Sequence, residues 1–458
     1  MSTATQLLRA DLRDFAGYRS ARSDGVAGEV WLNANESAEP SAADPEDRLR
    51  RYPEPQPQAL RSALANLYGV AEEALLVTRG SDEGIDLLLR AYCIPGQGSI
   101  VVAPPVFGMY AVCARLHGAR ILEVPAYDSG TAWHSDLDAM ADVAIAAGAS
   151  LVFVCNPGNP TGEAVPQAAI AALATRLAGR ALLVVDGAYA EFADDAADAG
   201  LVHAHDNLVL LRTLSKAHAL AAARIGSVIA APDIVRSLQR CQAPYPLAKP
   251  AVDAALATLA PAVLRRTRAG IAQVRSERDR LRQALADLPG VRCAYPSQGN
   301  FLLLRFADAQ AAMDALQARG VVVRDMRSMP GLADALRISI GTPVQNARVV
   351  GALAGLRARH EGAGSGAVRG PRWHPDRGAR RLPGRRLRKA APGRGRGAGA
   401  AAPARCRLAV RDGDQPGRAG HRRLPAGGVR WAAPVDAAVV RKPGHRLSRG
   451  ADRHQLRA

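Results

Sequence analysis

The chain has 458 residues, 48% of them apolar, and a formal net charge of +18, which is enough chain for one or two domains with a sizeable core. No apolar run approaches the roughly 20 residues that span a bilayer, and "MSTATQLLRADLRDF" has no secretory apolar core; with six scattered cysteines and no CxxC pair, a cytoplasmic protein with reduced thiols and no membrane partner is expected. The charge invites a nucleic-acid reading, but residues 361–458 hold 24 Lys+Arg against 6 Asp+Glu and residues 1–360 are net neutral, so the surplus belongs to the C-terminal segment alone.

Up to His360, short apolar, β-branched runs alternate with helical periodicity. In chain order they are "ALLVTRG", "SIVVAPP", "ARILEVPA", "SLVFVCNPGNPTG", "ALLVVDGAYA", "NLVLLRTLSKA" and "GSVIAAP". Runs buried on both faces and joined by helices predict a mostly parallel α/β sheet. "APYPLAKPAVDAALATLA" breaks the rhythm. A long helical stretch follows, "AVLRRTRAGIAQVRSERDRLRQALADL". Then comes a smaller α+β pattern: "CAYPSQGNFLLLRF", "AAMDALQARG", "VVVRD", "LRISIG" and a last helix "VQNARVVGALAGLRARH". A second, smaller domain is predicted there.

After His360 the periodicity stops. The segment is rich in Arg, Gly, Ala and Pro. It offers too little apolar surface to offset chain entropy, which predicts a disordered tail. One reading of it is an arginine-rich arm for nucleic-acid phosphates. Its codons give another. Shifted by one base, Gly370–Gly378 "GPRWHPDRG" permits "DRDGTLIE", which resembles the nucleophile motif of haloacid-dehalogenase-type phosphatases. In the same frame Val410–Gly417 permits "FAMVTNQD", and Val439–Arg446 permits "LFESQGI". Residues 361–458 therefore read as a frameshift product of a neighbouring phosphatase gene, and the nucleic-acid argument loses its support.

The chain holds 60 basic residues, of which only Lys216, Lys249, Lys389 and Lys442 are lysines. Where charge alone suffices, this composition uses arginine. A lysine amine can lose its proton and form a Schiff base, whereas guanidinium stays charged. Lys216 follows a strand-like run and precedes small residues, so it is a candidate nucleophile or a solvated loop lysine. Asp186 ends an apolar strand, at the sheet edge where α/β proteins bind ligands; it could equally cap a helix. Asn159 lies in a turn after another apolar strand. Gly80, Ser81 and Asp82 open a helical run whose free amides could attract phosphate; a Ser or Asp helix cap would look the same. His203 and His205 form an isolated pair with no third ligand, so no metal is expected.

In this order and spacing, the segments resemble the fold-type-I pyridoxal-phosphate aminotransferases, over residues 1–357. The closest likeness is to the histidinol-phosphate aminotransferase family. It is carried by "WLNANES", "RYPEPQP", "TRGSDEGIDLLLRAYC", "PPVFGMY", "NPGNPTG", "DGAY", "LRTLSKAHALAAARIG", "APYPL" and "LRISIGT". The resemblance implies a cofactor, pyridoxal 5'-phosphate, joined covalently to Lys216. Asp186 would hold the pyridine nitrogen, and Tyr189 and Asn159 the phenolic oxygen. Ser81, Asp82, Ser215 and Arg224 would bind the cofactor phosphate, and Phe107 would stack on the ring. Tyr52 would reach the phosphate from the other subunit, which implies a homodimer with shared active sites. Arg337 would grip the carboxylate of glutamate or 2-oxoglutarate and the phosphate of histidinol phosphate, with Tyr18 lining the substrate side. Two positions depart from the family: it usually has Tyr where this chain has Phe107, and often Glu where it has Gly187.

The resemblance also implies domain limits. Residues 1–50 would form an N-terminal arm and part of the small domain, 51–245 the large cofactor-binding domain and 246–360 the small C-terminal domain. The activity implied is transamination between L-histidinol phosphate and 2-oxoglutarate in histidine biosynthesis. The alternatives are an aromatic amino-acid aminotransferase, more distantly a threonine-phosphate decarboxylase, and, from another class, a nucleic-acid-binding protein acting through its tail.

Overall fold

The apolar runs expected as strands form two sheets and one short hairpin. The computed structural model describes residues 3–18, 20–21 and 28–356. In chain order the strands are β1 (Leu75–Thr78), β2 (Ser99–Val102), β3 (Arg120–Glu123), β4 (Tyr127–Asp128), β5 (Trp133–His134), β6 (Leu151–Cys155) and β7 (Leu182–Asp186). They continue with β8 (Leu208–Thr213), β9 (Gly226–Ala230), β10 (Val291–Ala294), β11 (Phe301–Phe306), β12 (Arg324–Asp325) and β13 (Ala335–Ser339). The helices are α1 (Thr3–Leu7), α2 (Gln58–Tyr68), α3 (Gly80–Tyr92), α4 (Met109–His117), α5 (Leu137–Ala147) and α6 (Gln167–Leu177). After them come α7 (Gly200–Ala204), α8 (Pro232–Cys241), α9 (Lys249–Thr258), α10 (Pro261–Ala286), α11 (Ala309–Ala318) and α12 (Pro343–Leu353).

The large sheet has seven strands in the order β1-β9-β8-β7-β6-β2-β3. Only β9 runs against its neighbours; the other pairings are parallel. Every residue of β6, β7 and β8 is buried, because helices cover both faces and the strands need apolar side chains on each. The period of two sends Leu183 and Val185 to one core with Leu60, Leu64, Ile170 and Leu173. It sends Leu182 and Val184 to the other, with Ile85, Leu88, Ile234 and Leu238. Each such Leu, Ile or Val contributes roughly 1.5–3 kcal/mol by leaving water. The consequence for function is positional. Cys155 pairs with Asp186 and Asp186 with Leu211, so the carboxyl ends of three strands lie side by side.

The small sheet is antiparallel, in the order β10-β11-β13-β12. Leu281 and Leu285 of α10 pack on it with Met313, Leu316, Val349 and Leu353 of α11 and α12. A capping box between Thr342 and Gln345 starts α12. The run "VVVRD" yields only the two residues of β12, since just Arg324 and Asp325 pair with β13 and Val322 stands 91% exposed.

Leu247, Val252, Ala255 and Leu259 pack into a core of the large sheet, so we propose that the lobes divide within α10 and not at residue 246. The N-terminal segment is tied to the large sheet's helices. Leu8 enters the second core, the Arg9 N–H donates to Ala91 O at 3.1 Å, and Arg48 pairs with Asp253 of α9 at 2.7 Å. The segment 361–458, expected to be disordered, lies outside the described residues.

Candidate active site

Apolar strands that end at polar residues place those residues at the sheet's carboxyl edge, where open α/β sheets bind ligands. Asp186 ends β7, Ser215 and Lys216 follow β8, and Asn159 lies in the turn after β6. Ser81 and Asp82 sit in the first turn of α3, whose leading N–H groups have no partner within the helix. These residues line one cavity of about 130 Å³, together with Phe107, Tyr189 and Arg224. The chain thus brings together side chains from positions 81 to 224.

Arg224, Asp82 and Ser215 form one polar cluster on the cavity wall. Arg224 pairs with Asp82 at 3.0 Å and donates to Ser215 Oγ at 3.3 Å. Its backbone is left-handed, at φ 56°, a strained state for a non-glycine residue that is common at ligand clamps. Gly80 also has positive φ, and a Cβ there would lie 2.4 Å from Arg224 Nη2. A glycine at 80 therefore keeps this cluster open.

Asp186 lines the same cavity, only 2% exposed. Burial pushes its carboxyl above the usual range, opposed by two donors: Tyr110 OH at 2.8 Å and Ala188 N–H at 3.1 Å. A buried carboxylate with fixed donors suits a protonated ring nitrogen. Lys216 Nζ stands 5.7 Å from the Tyr189 ring centre. Burial pulls its amine below the ordinary lysine range; Arg337 and Arg224 add to this, while Asp82 and Asp186 oppose it. The amine is thus more readily freed of its proton than a surface lysine.

Arg337 comes from β13 of the small sheet. Its Nη1 donates to Asn159 Oδ1, and Asn159 Nδ2 donates to Tyr189 OH at 3.3 Å. Arg337 Nε is buried without a partner, and its guanidinium lies 5.2 Å from the Phe301 ring centre. A cation with a spare donor suits a carboxylate or phosphate.

Three expected residues do not line this cavity: Tyr18, Tyr52 and Arg337, which only reaches its wall through Asn159. Tyr18 is 71% exposed and lines a separate recess with Asp233 and Arg240. Tyr52 is 49% exposed and stacks on Tyr245, ring centres 4.5 Å apart. Conversely, Tyr110 and Cys155 belong to the site without having been assigned a role. Tyr110 lies in the first turn of α4, three residues after Phe107, and the two rings meet edge-on at 5.7 Å. A larger cavity of about 340 Å³, lined by Tyr68, Glu191, Arg212 and His218 among others, contains none of the expected site residues. Among the described residues no three His, Cys, Asp or Glu side chains are grouped to hold a metal.

Residues 20–353 match the family described as aminotransferase class I and II. A histidinol-phosphate aminotransferase of Stenotrophomonas maltophilia is 58% identical over 352 residues, which is 77% of this chain and 97% of that protein. One of Xanthomonas campestris is 56% identical, over 77% of this chain and 98% of its own. Among solved structures, a histidinol-phosphate aminotransferase of Sinorhizobium meliloti in complex with pyridoxal-5'-phosphate matches with a TM-score of 0.61 at 26% identity, covering 70% of this chain and 89% of that one. An L-threonine-O-3-phosphate decarboxylase of Porphyromonas gingivalis shares the fold, with a TM-score of 0.57 at 24% identity over 68% of this chain and 92% of that one. The family match stops at residue 353, short of the arginine-rich segment. With its cavity, its lysine and these relatives, the chain belongs to the class I and II aminotransferases.

Proposed function

We propose that the chain transfers an amino group between L-histidinol phosphate and 2-oxoglutarate, giving imidazole-acetol phosphate and L-glutamate, with pyridoxal 5'-phosphate as its cofactor. The observation that carries the reading is the convergence on one cavity of Lys216, the buried Asp186 and the Arg224 polar cluster, in a chain 58% identical to a protein of that name.

The cavity fits the cofactor. Arg224, Ser215, Ser81 and Asp82 would hold its phosphate, Asp186 its ring nitrogen, and Tyr189 with Asn159 its phenolic oxygen, with Phe107 against the ring face. When bound, pyridoxal 5'-phosphate supplies an electron sink for the carbon that loses a proton. Lys216 provides the amine for attachment and, once displaced by substrate, a base that takes that proton at Nζ and returns it nearby. Its lowered proton affinity serves both roles. Asp186 keeps the ring nitrogen protonated by staying ionised, helped by Tyr110 and the Ala188 N–H. Arg337 orients the substrate's anionic group next to Lys216. Phe107 retains a stacking face without the hydroxyl usual in the family.

Three further points belong to the same proposal. Tyr52 and Tyr245 stack outside the protomer's own cavity, which suits a homodimer whose partner supplies Tyr52; light scattering should give twice the chain mass. A cytoplasmic location belongs to the proposal; among the described residues no helix is long and apolar enough to cross a membrane. No nucleic-acid role is proposed, because residues 1–360 carry no net charge; a one-base correction near codon 365 of the coding DNA should open a phosphatase frame. The substrate is tested by comparing kcat/KM for histidinol phosphate with that for phenylalanine and tyrosine. Strong preference for the phosphate supports the reading. Equal values would make the enzyme an aromatic amino-acid aminotransferase.

A further inference from the structure

Position 187 is a glycine for lack of space, not for backbone freedom, and the space is taken by Arg212. A Cβ built at Gly187 would fall 1.7 Å from Arg212 Nη1 and 2.9 Å from its Cζ. Gly187 is absent from the residues with positive φ. Arg212 is 7% exposed, so its guanidinium must find partners inside the protein. It donates from Nη1 to Gly187 O at 3.3 Å and from Nη2 to Ala197 O at 2.5 Å. The Gly187 N–H in turn donates to Leu211 O at 3.0 Å. Both backbone groups of Gly187 are therefore held by two consecutive residues of β8.

The turn so held carries the site. Asp186 precedes Gly187, the Ala188 N–H is one of the two donors to Asp186, and Tyr189 reaches Asn159. A shift at 187 moves all three. We infer that Arg212, packed into the space left by the missing Gly187 side chain, is a positioning residue that sets the Asp186–Tyr189 turn against the cofactor. Arg212 lines the larger cavity on the far side of this turn and not the site itself, so it acts without touching substrate. The inference rests on the proposed function, because it needs the cofactor to lie at Asp186.

The test is a mutant cycle in the full chain: Gly187→Ala, Arg212→Ala and the double variant. Two quantities are read, the dissociation constant of pyridoxal 5'-phosphate and the pH midpoint of the bound cofactor's visible absorption. Gly187→Ala should weaken cofactor binding at least about tenfold and displace the midpoint, because the new methyl expels Arg212 or moves the turn. In the Arg212→Ala background the same substitution should add little, since the obstruction is gone. Full additivity of the two penalties would overturn the inference. So would a Gly187→Ala variant that melts lower yet keeps both the affinity and the midpoint. If Arg212→Ala does not fold, the shorter polar Arg212→Ser takes its place in the cycle, with the same non-additivity expected. A wild-type chain that binds no cofactor would instead sink the functional reading.

Discussion

Removing one oxygen, from Tyr110, should weaken the hold on the cofactor without opening a cavity in the core. Tyr110 OH donates to Asp186 Oδ2 at 2.8 Å inside a fully buried setting. A hydrogen bond to an ionised group is worth roughly 1.5–3 kcal/mol, and its loss leaves the carboxylate with one fixed donor. The ionised form of Asp186, already disfavoured by burial, becomes less accessible still. Holding a protonated ring nitrogen depends on that form, so Tyr110→Phe should lower cofactor affinity about ten- to a hundredfold. The sign of the pH effect follows: a carboxyl whose proton affinity rises is lost to protonation first at the acid end. The gap between wild type and variant should therefore widen as pH falls. The phenyl ring stays stacked on Phe153, ring centres 4.7 Å apart, so no cavity opens and the loss of fold stability should not exceed that of the hydrogen bond, roughly 1.5–3 kcal/mol. Fluorescence titration of the apoprotein with pyridoxal 5'-phosphate across pH measures this. Equal affinity at every pH would refute the role given to the Tyr110–Asp186 bond.

Arg224→Lys keeps the charge but loses the fork that reaches both Asp82 and Ser215. Affinity for pyridoxal 5'-phosphate should fall about ten- to a hundredfold, while affinity for phosphate-free pyridoxal changes less, as parallel titrations would show. Arg337→Ala removes the cation beside Asn159 and should raise KM for glutamate at least about tenfold with a smaller change in kcat; an unchanged KM would contradict its placement. Phe153→Ala empties a core position that is 1% exposed, and denaturant unfolding should report a loss of about 3–5 kcal/mol.

Most residues that line the candidate cavity were legible because they sit in local motifs. "DGAY", "TLSK" and "TRGSD" each pair an apolar strand or a helix start with the residue the chemistry needs, and sheet topology then brings them together. Parallel strands betray themselves by unbroken apolar runs such as Leu151–Cys155, and β9, which runs antiparallel within the large sheet, looks the same, since it too is buried on both faces. Contacts made at long range were not legible. Nothing in "LLRTL" says that Arg212 turns toward Gly187, because that depends on the β7–β8 register. Tyr110 bonding Asp186 spans 76 positions and follows only from folding. The packing of α9 into a core of the large sheet was hidden for the same reason: helical periodicity shows which face is apolar but not which sheet it meets.

The central claim is that Lys216 carries the cofactor, and the scarcity of lysine makes it directly testable. The full chain has four lysines. Reducing the cofactor-loaded protein with borohydride fixes the attached group, and peptide mass analysis then finds the labelled residue. The account predicts label on Lys216 alone, and none at all in Lys216→Arg. Label on Lys249, Lys389 or Lys442, or an Arg variant that is still labelled in the active-site peptide, would contradict it.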